Sequence, residues 1–158
     1  MSNVMPLHQY YFRKKEIQIS IDNKDIDFLA EVFHNVTLVI QEQDNFKATE
    51  ISLDSILEDL VEPDYLEEHT VITIHVLEVD SFVFALSHFM NIYDDVTESE
   101  KDVLFKYMDM LVPYQNIYKK EIAAFYNLPV NIQAEILELF YSSPNNTSIS
   151  HDTPRNLR

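Results

Sequence analysis

Residues 71–93, which read VITIHVLEVDSFVFALSHFMNIY, contain the change of hydrophobic periodicity on which the fold depends. Over Val71–Val79, apolar and polar side chains alternate until Leu77 interrupts them, and this pattern predicts a half-buried strand. Over Ser81–Tyr93, almost every position is apolar, which is typical of a buried helix rather than a surface helix. The stretch therefore predicts the end of a sheet and the start of a helical region.

The residues before this stretch predict three further strands and two helices. Alternating isoleucines predict a strand over Glu16–Ile21, and turn-forming residues at Asp22–Asp25 precede a short amphipathic helix. The β-branched and apolar segments Val36–Gln41 and Phe46–Ile51 predict a hairpin. Ser52 is then the expected N-cap of an amphipathic helix. The N-terminal half is thus expected to form a small mixed or antiparallel sheet packed with helices.

The residues after this stretch show helical periodicity. Thr97–Glu100, with the sequence TESE, is a capping box that opens a helix to about Val112. Pro113 is expected to end that helix or to begin the next one, and Pro129 to introduce a last helix. Strands in the first half and helices in the second predict an α+β fold with a helical C-terminal half.

Charge and composition divide the chain into three segments. Residues 1–15 combine aromatic side chains with three Lys or Arg and no acid, and form an N-terminal basic and aromatic segment. Residues 16–141 are expected to form a single α+β domain. Residues 142–158 are rich in Ser, Asn, Thr and Pro without periodicity, which predicts a disordered tail. No secretory signal is recognisable at the start of the sequence, so we expect a cytoplasmic protein.

The chain contains no Gly and no Cys, and these absences exclude several classes of active site. P-loops, Rossmann fingerprints, the nucleophile elbow of α/β-hydrolases and the standard EF-hand loop all need Gly. Without Cys, thiol nucleophiles and Cys-ligated metals are excluded as well.

Two catalytic arrangements can be drawn from the residues around the change from strand to helix. His75 and His88 could converge with Glu78 or Asp80 on a zinc ion. Either His could also join Asp80 and Ser81 or Ser87 in a hydrolytic triad. A chain with 27 acids and eleven Ser yields such combinations by chance. We therefore expect no enzymatic activity, no metal and no cofactor.

Acidic residues dominate the middle of the chain. The 158 residues carry a formal net charge of −16, and residues 42–100 contain sixteen acids but only one Lys. On the helix expected after Ser52, Asp54, Glu58 and Glu62 recur every four residues, which places them on one face. Their rise of about 6 Å per step approaches two steps of a nucleic-acid strand. Such a row of carboxylates could stand in for phosphates, although an ordinary solvated face is the alternative interpretation.

These acids, with a second cluster at the start of the helix that Thr97 caps, define the predicted partner-binding surface. The candidate residues are Asp54, Glu58, Asp59, Glu62, Asp64, Glu67, Glu68, Asp94, Asp95, Glu98 and Glu100. We expect them to contact a basic protein that handles nucleic acid, rather than nucleic acid itself or a membrane.

The leading hypothesis is a non-catalytic acidic binding module that blocks the basic surface of such a partner. An inhibitor, an immunity protein or a counter-defence protein of a mobile element would act in this way, and a DNA mimic is one form of it. The alternative is a structural or adaptor subunit whose C-terminal helices dock a partner or a second copy. The residues considered for that interface are Tyr114, Tyr118 and Tyr126, because Tyr is enriched in binding patches.

Overall fold

The computed structural model describes residues 15–60 and 67–141, and these residues form two strands and six α-helices. The elements are β1 (Glu16–Asp22), α1 (Ile26–Ile40), α2 (Lys47–Leu60), β2 (His69–His75), α3 (Val76–Ile92), α4 (Glu98–Ile117), α5 (Lys119–Tyr126) and α6 (Val130–Tyr141). Single 3₁₀ turns at Asn23–Asp25 and Asp44–Phe46 precede α1 and α2. A small antiparallel sheet with helices, followed by a helical C-terminal half, confirms the predicted α+β class.

Several sequence-based predictions concern residues beyond this range. The predicted tail 142–158 and, apart from Lys15, the predicted N-terminal segment 1–15 lie outside the described residues, and so do Glu62 and Asp64. Among the described helices, none combines the length and the apolar character that crossing a bilayer requires.

The sheet is formed by β1 and β2, which pair antiparallel with Glu16 opposite His75 and Asp22 opposite His69. Side chains alternate across both strands, as the sequence predicts for β1. The buried face carries Thr70 and five isoleucines, Ile17, Ile19, Ile21, Ile72 and Ile74. A two-stranded sheet is marginal by itself, so this isoleucine face is stable only because helices cover it.

The predicted hairpin over Val36–Gln41 and Phe46–Ile51 is wrong, because these segments belong to α1 and α2. Val36 and Ile40 continue the buried stripe that begins at Ile26, with helical rather than alternating spacing. The β propensity of branched residues is a weak preference, and burying one continuous stripe outweighs it.

Two boundaries also differ from the prediction. Helix α2 begins at Lys47, so Ser52 is a buried residue inside the helix rather than its N-cap. Strand β2 ends at His75, so the last four residues predicted as strand form the first turn of α3. The Glu78 carboxylate accepts a hydrogen bond from the His75 backbone N–H at 2.8 Å, as the acid of a capping box does. The break in alternation at Leu77 therefore marks a helix start.

The predicted helix boundary at Pro113 is wrong, since Pro113 lies inside α4, which continues to Ile117. Pro113 and Asp109, whose carbonyl loses its helical donor, both occupy exposed positions, where water can hydrogen-bond to that carbonyl. The start of α4 is as predicted: Thr97 Oγ1 accepts from the Glu100 N–H, and Glu100 accepts from the Thr97 N–H. The predicted last helix is also present, as α6.

Helix α3 is buried between two hydrophobic clusters, which confirms the helix predicted over Ser81–Tyr93. Its residues Val76, Val79 and Phe82 belong to the larger cluster, which includes the sheet, α1, α2 and α4. Its Leu77 belongs to the smaller cluster beneath α5 and α6. Helix α3 therefore connects the sheet half to the C-terminal helices.

Polar contacts fix α4 against the end of β1. The Tyr107 hydroxyl accepts the Asp22 N–H at 3.0 Å and donates to Asp25 Oδ2 at 2.8 Å. Lys106 Nζ lies 2.8 Å from Asp22 Oδ2 and 2.7 Å from Asp25 Oδ2. The hydrogen bond from Lys106, aided by nearby His69, lowers the pKa of Asp22, while the two aspartates raise the pKa of Lys106. The network therefore stabilises the ionised forms of Asp22 and Lys106.

We expect Tyr107→Phe to lower the free energy of unfolding by about 1–2 kcal/mol, because it removes a buried hydroxyl that both accepts and donates. Urea denaturation followed by circular dichroism measures the change. Tyr93→Phe is the control, since the Tyr93 hydroxyl makes only a long 3.4 Å contact with Asn35. Equal losses in the two variants would contradict a specific role for the Tyr107 hydroxyl.

Candidate partner-binding surface

Helix α2 carries an acidic row on the face opposite its buried stripe. Asp54 and Glu58 are exposed, Glu50 precedes Asp54 by four residues, and Leu53 and Ile56 are fully buried. Successive acids of the row are separated by about 6 Å along the helix axis. The two described members of the predicted row thus lie side by side, and Glu50 extends it toward the start of the helix.

The acids of this row repel one another. Desolvation first, and then the charges of Glu50 and Glu58, raise the pKa of Asp54, while Lys47 lowers it. Among the described residues, no Lys or Arg nitrogen lies within 4 Å of Glu50 or Asp54. Within the part of the chain that the structure describes, this portion of the negative charge therefore has no close cation.

The described lysines in ion pairs lie elsewhere in the molecule. Lys106 binds two aspartates beside β1, and Lys15 Nζ lies 3.1 Å from Glu121 Oε2 on α5. Lys101 pairs with Glu98 at 3.5 Å within the first turns of α4. These three lysines thus pair at β1, α4 and α5, while α2 carries four acids and one lysine.

The remaining predicted acids are distributed over other segments. Asp94, Asp95 and Glu98 are exposed around the α3–α4 loop, whereas Glu100 is half-buried and engaged in the capping box of α4. Asp59 is half-buried on α2. Glu100 is therefore the acid least suited to contact a partner.

Glu67 and Glu68 are exposed just before β2. The Asn23 side-chain amide donates a hydrogen bond to the Glu67 carbonyl at 2.7 Å. The Asn23 backbone N–H donates to the Glu68 carbonyl at 2.9 Å. The backbone of this pair is thus fixed against the end of β1, while both carboxylates face solvent.

The three predicted interface tyrosines do not form one exposed stripe. Tyr114 lies on α4, Tyr118 at the boundary between α4 and α5, and Tyr126 at the end of α5. All three are half-buried, the first two against the larger cluster and Tyr126 against the smaller one. The Tyr126 hydroxyl lies 3.1 Å from Ser81 Oγ. The helix boundary at Tyr118 therefore divides the stripe.

The side chains considered for catalysis have other contacts. Ser81 is hydrogen-bonded to Tyr126, and Asp80 accepts a hydrogen bond from Gln115 at 2.7 Å. The His88 ring stacks on an aromatic ring of the same helix at 4.8 Å. Within residues 15–60 and 67–141, no group of three or more His, Cys, Asp or Glu could hold a metal ion.

Glu78 carries a buried carboxyl group, and the sequence patterns did not predict its burial. Glu78 is 2% exposed, and its Oε2 accepts a hydrogen bond from the Tyr141 hydroxyl at the end of α6. Burial is the main cause that raises its pKa to about 7, and Asp59 and Glu16 raise it further. The signal in the sequence is an acid in the middle of the apolar run VLEV.

Glu78 and its neighbours attach α6 to the start of α3. Tyr141 donates to Glu78, and the Phe140 ring stacks on the His75 ring with centroids 4.3 Å apart. Burial, followed by the charge of Glu78, raises the pKa of Tyr141, so its hydroxyl keeps the proton that it donates. This cluster holds α6 against the start of α3, and its Glu78 carboxyl group titrates near neutral pH.

We expect stability to depend on the protonation of Glu78. Because its folded-state pKa is above its unfolded value of 4.5, its contribution is fully present below about pH 4.5 and lost as pH rises through about 7. The loss amounts to about 3 kcal/mol. Urea denaturation between pH 5 and pH 8 should show a shallower pH dependence in Glu78→Gln, whereas Glu135→Gln, at an exposed position on α6, should follow the wild type. Identical profiles for Glu78→Gln and the wild type would refute this assignment.

We also expect the acidic row to reduce stability. Asp54→Asn should raise the free energy of unfolding by a few tenths of a kcal/mol at pH 7, and less at high salt, because it removes repulsion from Glu50 and Glu58. Asp109→Asn is the control, because this exposed acid on α4 lies three residues after Lys106 and should gain nothing. A destabilised Asp54→Asn protein would show that the row is internally compensated.

The chain was compared with protein-family models, with curated proteins and with solved structures. No family model, no curated protein and no solved structure matches it.

Proposed function

We propose that this protein is a non-catalytic acidic binding module that occludes a basic surface of a partner that handles nucleic acid. The observation that carries the proposal is the exposed row on α2, in which Asp54 is repelled by Glu50 and Glu58. A fold that retains this repulsion, while Lys15 and Lys106 pair with acids on other elements, presents negative charge to the outside.

The geometry of the row suits a basic groove that normally holds phosphates. Carboxylates separated by about 6 Å can occupy alternate phosphate positions along a strand whose phosphates are about 3.4 Å apart in axial rise. The exposed Asp94, Asp95, Glu67 and Glu68 add negative charge from two further segments. Binding would then be competitive with nucleic acid, which is how an inhibitor, an immunity protein or a counter-defence protein of the DNA-mimic type acts.

Electrostatic steering gives this mechanism a kinetic signature. Complementary fields accelerate association, and salt screens them within a Debye length of about 8 Å at physiological ionic strength. The association rate with the partner should therefore fall as salt rises, while the dissociation rate changes less. Added double-stranded DNA should displace the protein, because both ligands would occupy the same basic surface.

The test compares two double charge reversals of equal size. Asp54→Lys with Glu58→Lys alters the row on α2, and Asp27→Lys with Glu31→Lys makes the same change at the same spacing on α1, where both acids are exposed. Proteins captured from native lysate by the wild type are identified by mass spectrometry. Their association rates with each variant are then measured by surface plasmon resonance across a series of salt concentrations, after unfolding curves show that both variants fold.

We expect the α2 reversal to reduce the association rate at least about tenfold, an effect of about 1.4 kcal/mol, and the α1 reversal to change it little. The captured protein should be basic, should bind nucleic acid and should be released by DNA. Equal binding by both variants, or binding insensitive to salt, would overturn the proposal.

A structural or adaptor role is the second candidate, and exposed apolar side chains on α4 favour it. Phe105 and Val112 are two turns apart on one face of α4, with exposed fractions of 47% and 38%, and Ile117 at the end of the helix is 67% exposed. These residues are better placed for docking than the half-buried Tyr114 and Tyr118. A partner that is retained by both charge reversals and lost with Phe105→Ser would identify this role.

A further inference from the structure

The hydrogen bonds at the two ends of the sheet fix which backbone groups face outward. The Val76 N–H donates to the Lys15 carbonyl at 2.8 Å, and the Asn23 N–H donates to the Glu68 carbonyl at 2.9 Å. In an antiparallel pair, hydrogen-bonded positions alternate with positions whose backbone groups point away. The register shows that the backbone N–H and C=O groups of Thr70, Ile72 and Ile74 point toward β1. The backbone groups of the intervening residues of β2 point away from β1.

The outer edge of β1 is flanked by the C-terminal helices. At one end, the outward N–H of Asp22 is bound by the Tyr107 hydroxyl of α4. At the other end, Lys15 forms an ion pair with Glu121 of α5 and lies 5.9 Å from the Tyr118 ring centroid. The helical region therefore contacts both ends of the outer edge of β1.

The outer edge of β2 is open at His69, Val71 and Thr73. Their backbone groups have no backbone partner among the described residues, whereas the outward N–H of His75 is bound by Glu78. The three side chains are exposed, and Val71 is 57% exposed. Edge strands usually carry Lys, Pro or a bulge that prevents pairing, and β2 carries none of these.

We propose that β2 pairs with β2 of a second copy of this chain, antiparallel about a two-fold axis at Val71. Val71 then lies opposite Val71 of the second copy, and His69 lies opposite its Thr73. Each of these pairs exchanges both backbone hydrogen bonds, so the arrangement is self-complementary, as two-fold symmetry requires. Two sheets of two strands become one sheet of four strands, which is more stable than an isolated pair.

Charge and register favour a second copy over another occupant. Residues 69–75, HTVITIH, carry no Asp, Glu, Lys or Arg, so a charged partner gains no ion pair within this strand. A two-fold axis at Val71 places Glu67 opposite His75 and Glu68 opposite Ile74, so no acid opposes another acid along the strand. An axis at Thr73 would extend the pairing into the first residues of α3, and an axis at His69 would leave Thr73 without a partner inside β2 of the second copy.

Self-association and partner binding respond to salt in opposite ways. Two copies with a formal charge of −16 each repel one another, so screening should strengthen their pairing. The proposed contact of the acidic row with a basic protein weakens as salt rises. The pairing at β2 does not rest on the proposed function, and failure of one leaves the other intact.

Cysteine cross-linking tests both the pairing and its register, because the chain has no Cys of its own. In the proposed dimer, the two Cα atoms at position 71 are about 5.5 Å apart, within the range of a disulfide. Those at position 73 are about 14 Å apart, because Thr73 lies opposite residue 69 and is therefore four residues along the strand from position 73 of the second copy. Mild oxidation with diamide should therefore cross-link Val71→Cys and leave Thr73→Cys monomeric, while a mixture of Thr73→Cys and His69→Cys should form a mixed disulfide.

The full chain should also show a monomer–dimer equilibrium in sedimentation velocity, with the dimer fraction rising from about 50 mM to about 500 mM NaCl. Val71→Lys should raise the dissociation constant at least about tenfold by placing two ammonium groups across the axis. Val71→Thr keeps β propensity and should dimerise like the wild type, which separates pairing from folding. A wild type that stays monomeric at about 0.1 mM protein and high salt, or equal cross-linking at positions 71 and 73, would overturn the proposal.

Discussion

Burial of helix α3 between two hydrophobic clusters is the constraint on which the rest of the structure depends. Val76, Val79 and Phe82 pack with the isoleucine face of the sheet and with α1, and Leu77 packs with α6. The sheet has only two strands and cannot stand alone, so it requires a helix that is apolar almost all round. The same helix also holds Glu78, whose carboxyl group joins α6 to the sheet end through Tyr141.

The charged residues are distributed differently from the hydrophobic clusters. Three of the described lysines form ion pairs, and two of these connect β1 to α4 and α5: Lys106 bridges Asp22 and Asp25, and Lys15 pairs with Glu121. These pairs connect residues that are far apart in sequence and hold the helical half beside β1. Since the chain has far fewer bases than acids, using bases at this junction leaves the acids of α2 more numerous than Lys47, the lysine of that helix.

Local patterns were sufficient for the elements whose stability is mainly local. The alternation of β1, the capping box at Thr97 and the apolar run of α3 each specify their structure within a few residues. The hairpin prediction failed over Val36–Gln41 because branched residues suit either element, and the choice was made by a stripe that starts ten residues earlier. The row at Asp54 and Glu58 was predictable from spacing. The Lys106 and Glu78 networks were not, because their partners are distant in sequence.

Partner binding at the acidic row of α2 and pairing at the edge of β2 can occur together, and each would affect the other. Helix α2 contacts both β2 and α3, so the acidic row belongs to the same half of the molecule as the open strand edge. Pairing at β2 would place two acidic rows in one particle, and a basic partner with two sites could then bind both at a high effective concentration. That gain depends on the distance between the two rows, because a partner that cannot reach both gains nothing. Pairing would also concentrate negative charge, so the basic partner would itself stabilise the dimer by neutralising the repulsion between its copies.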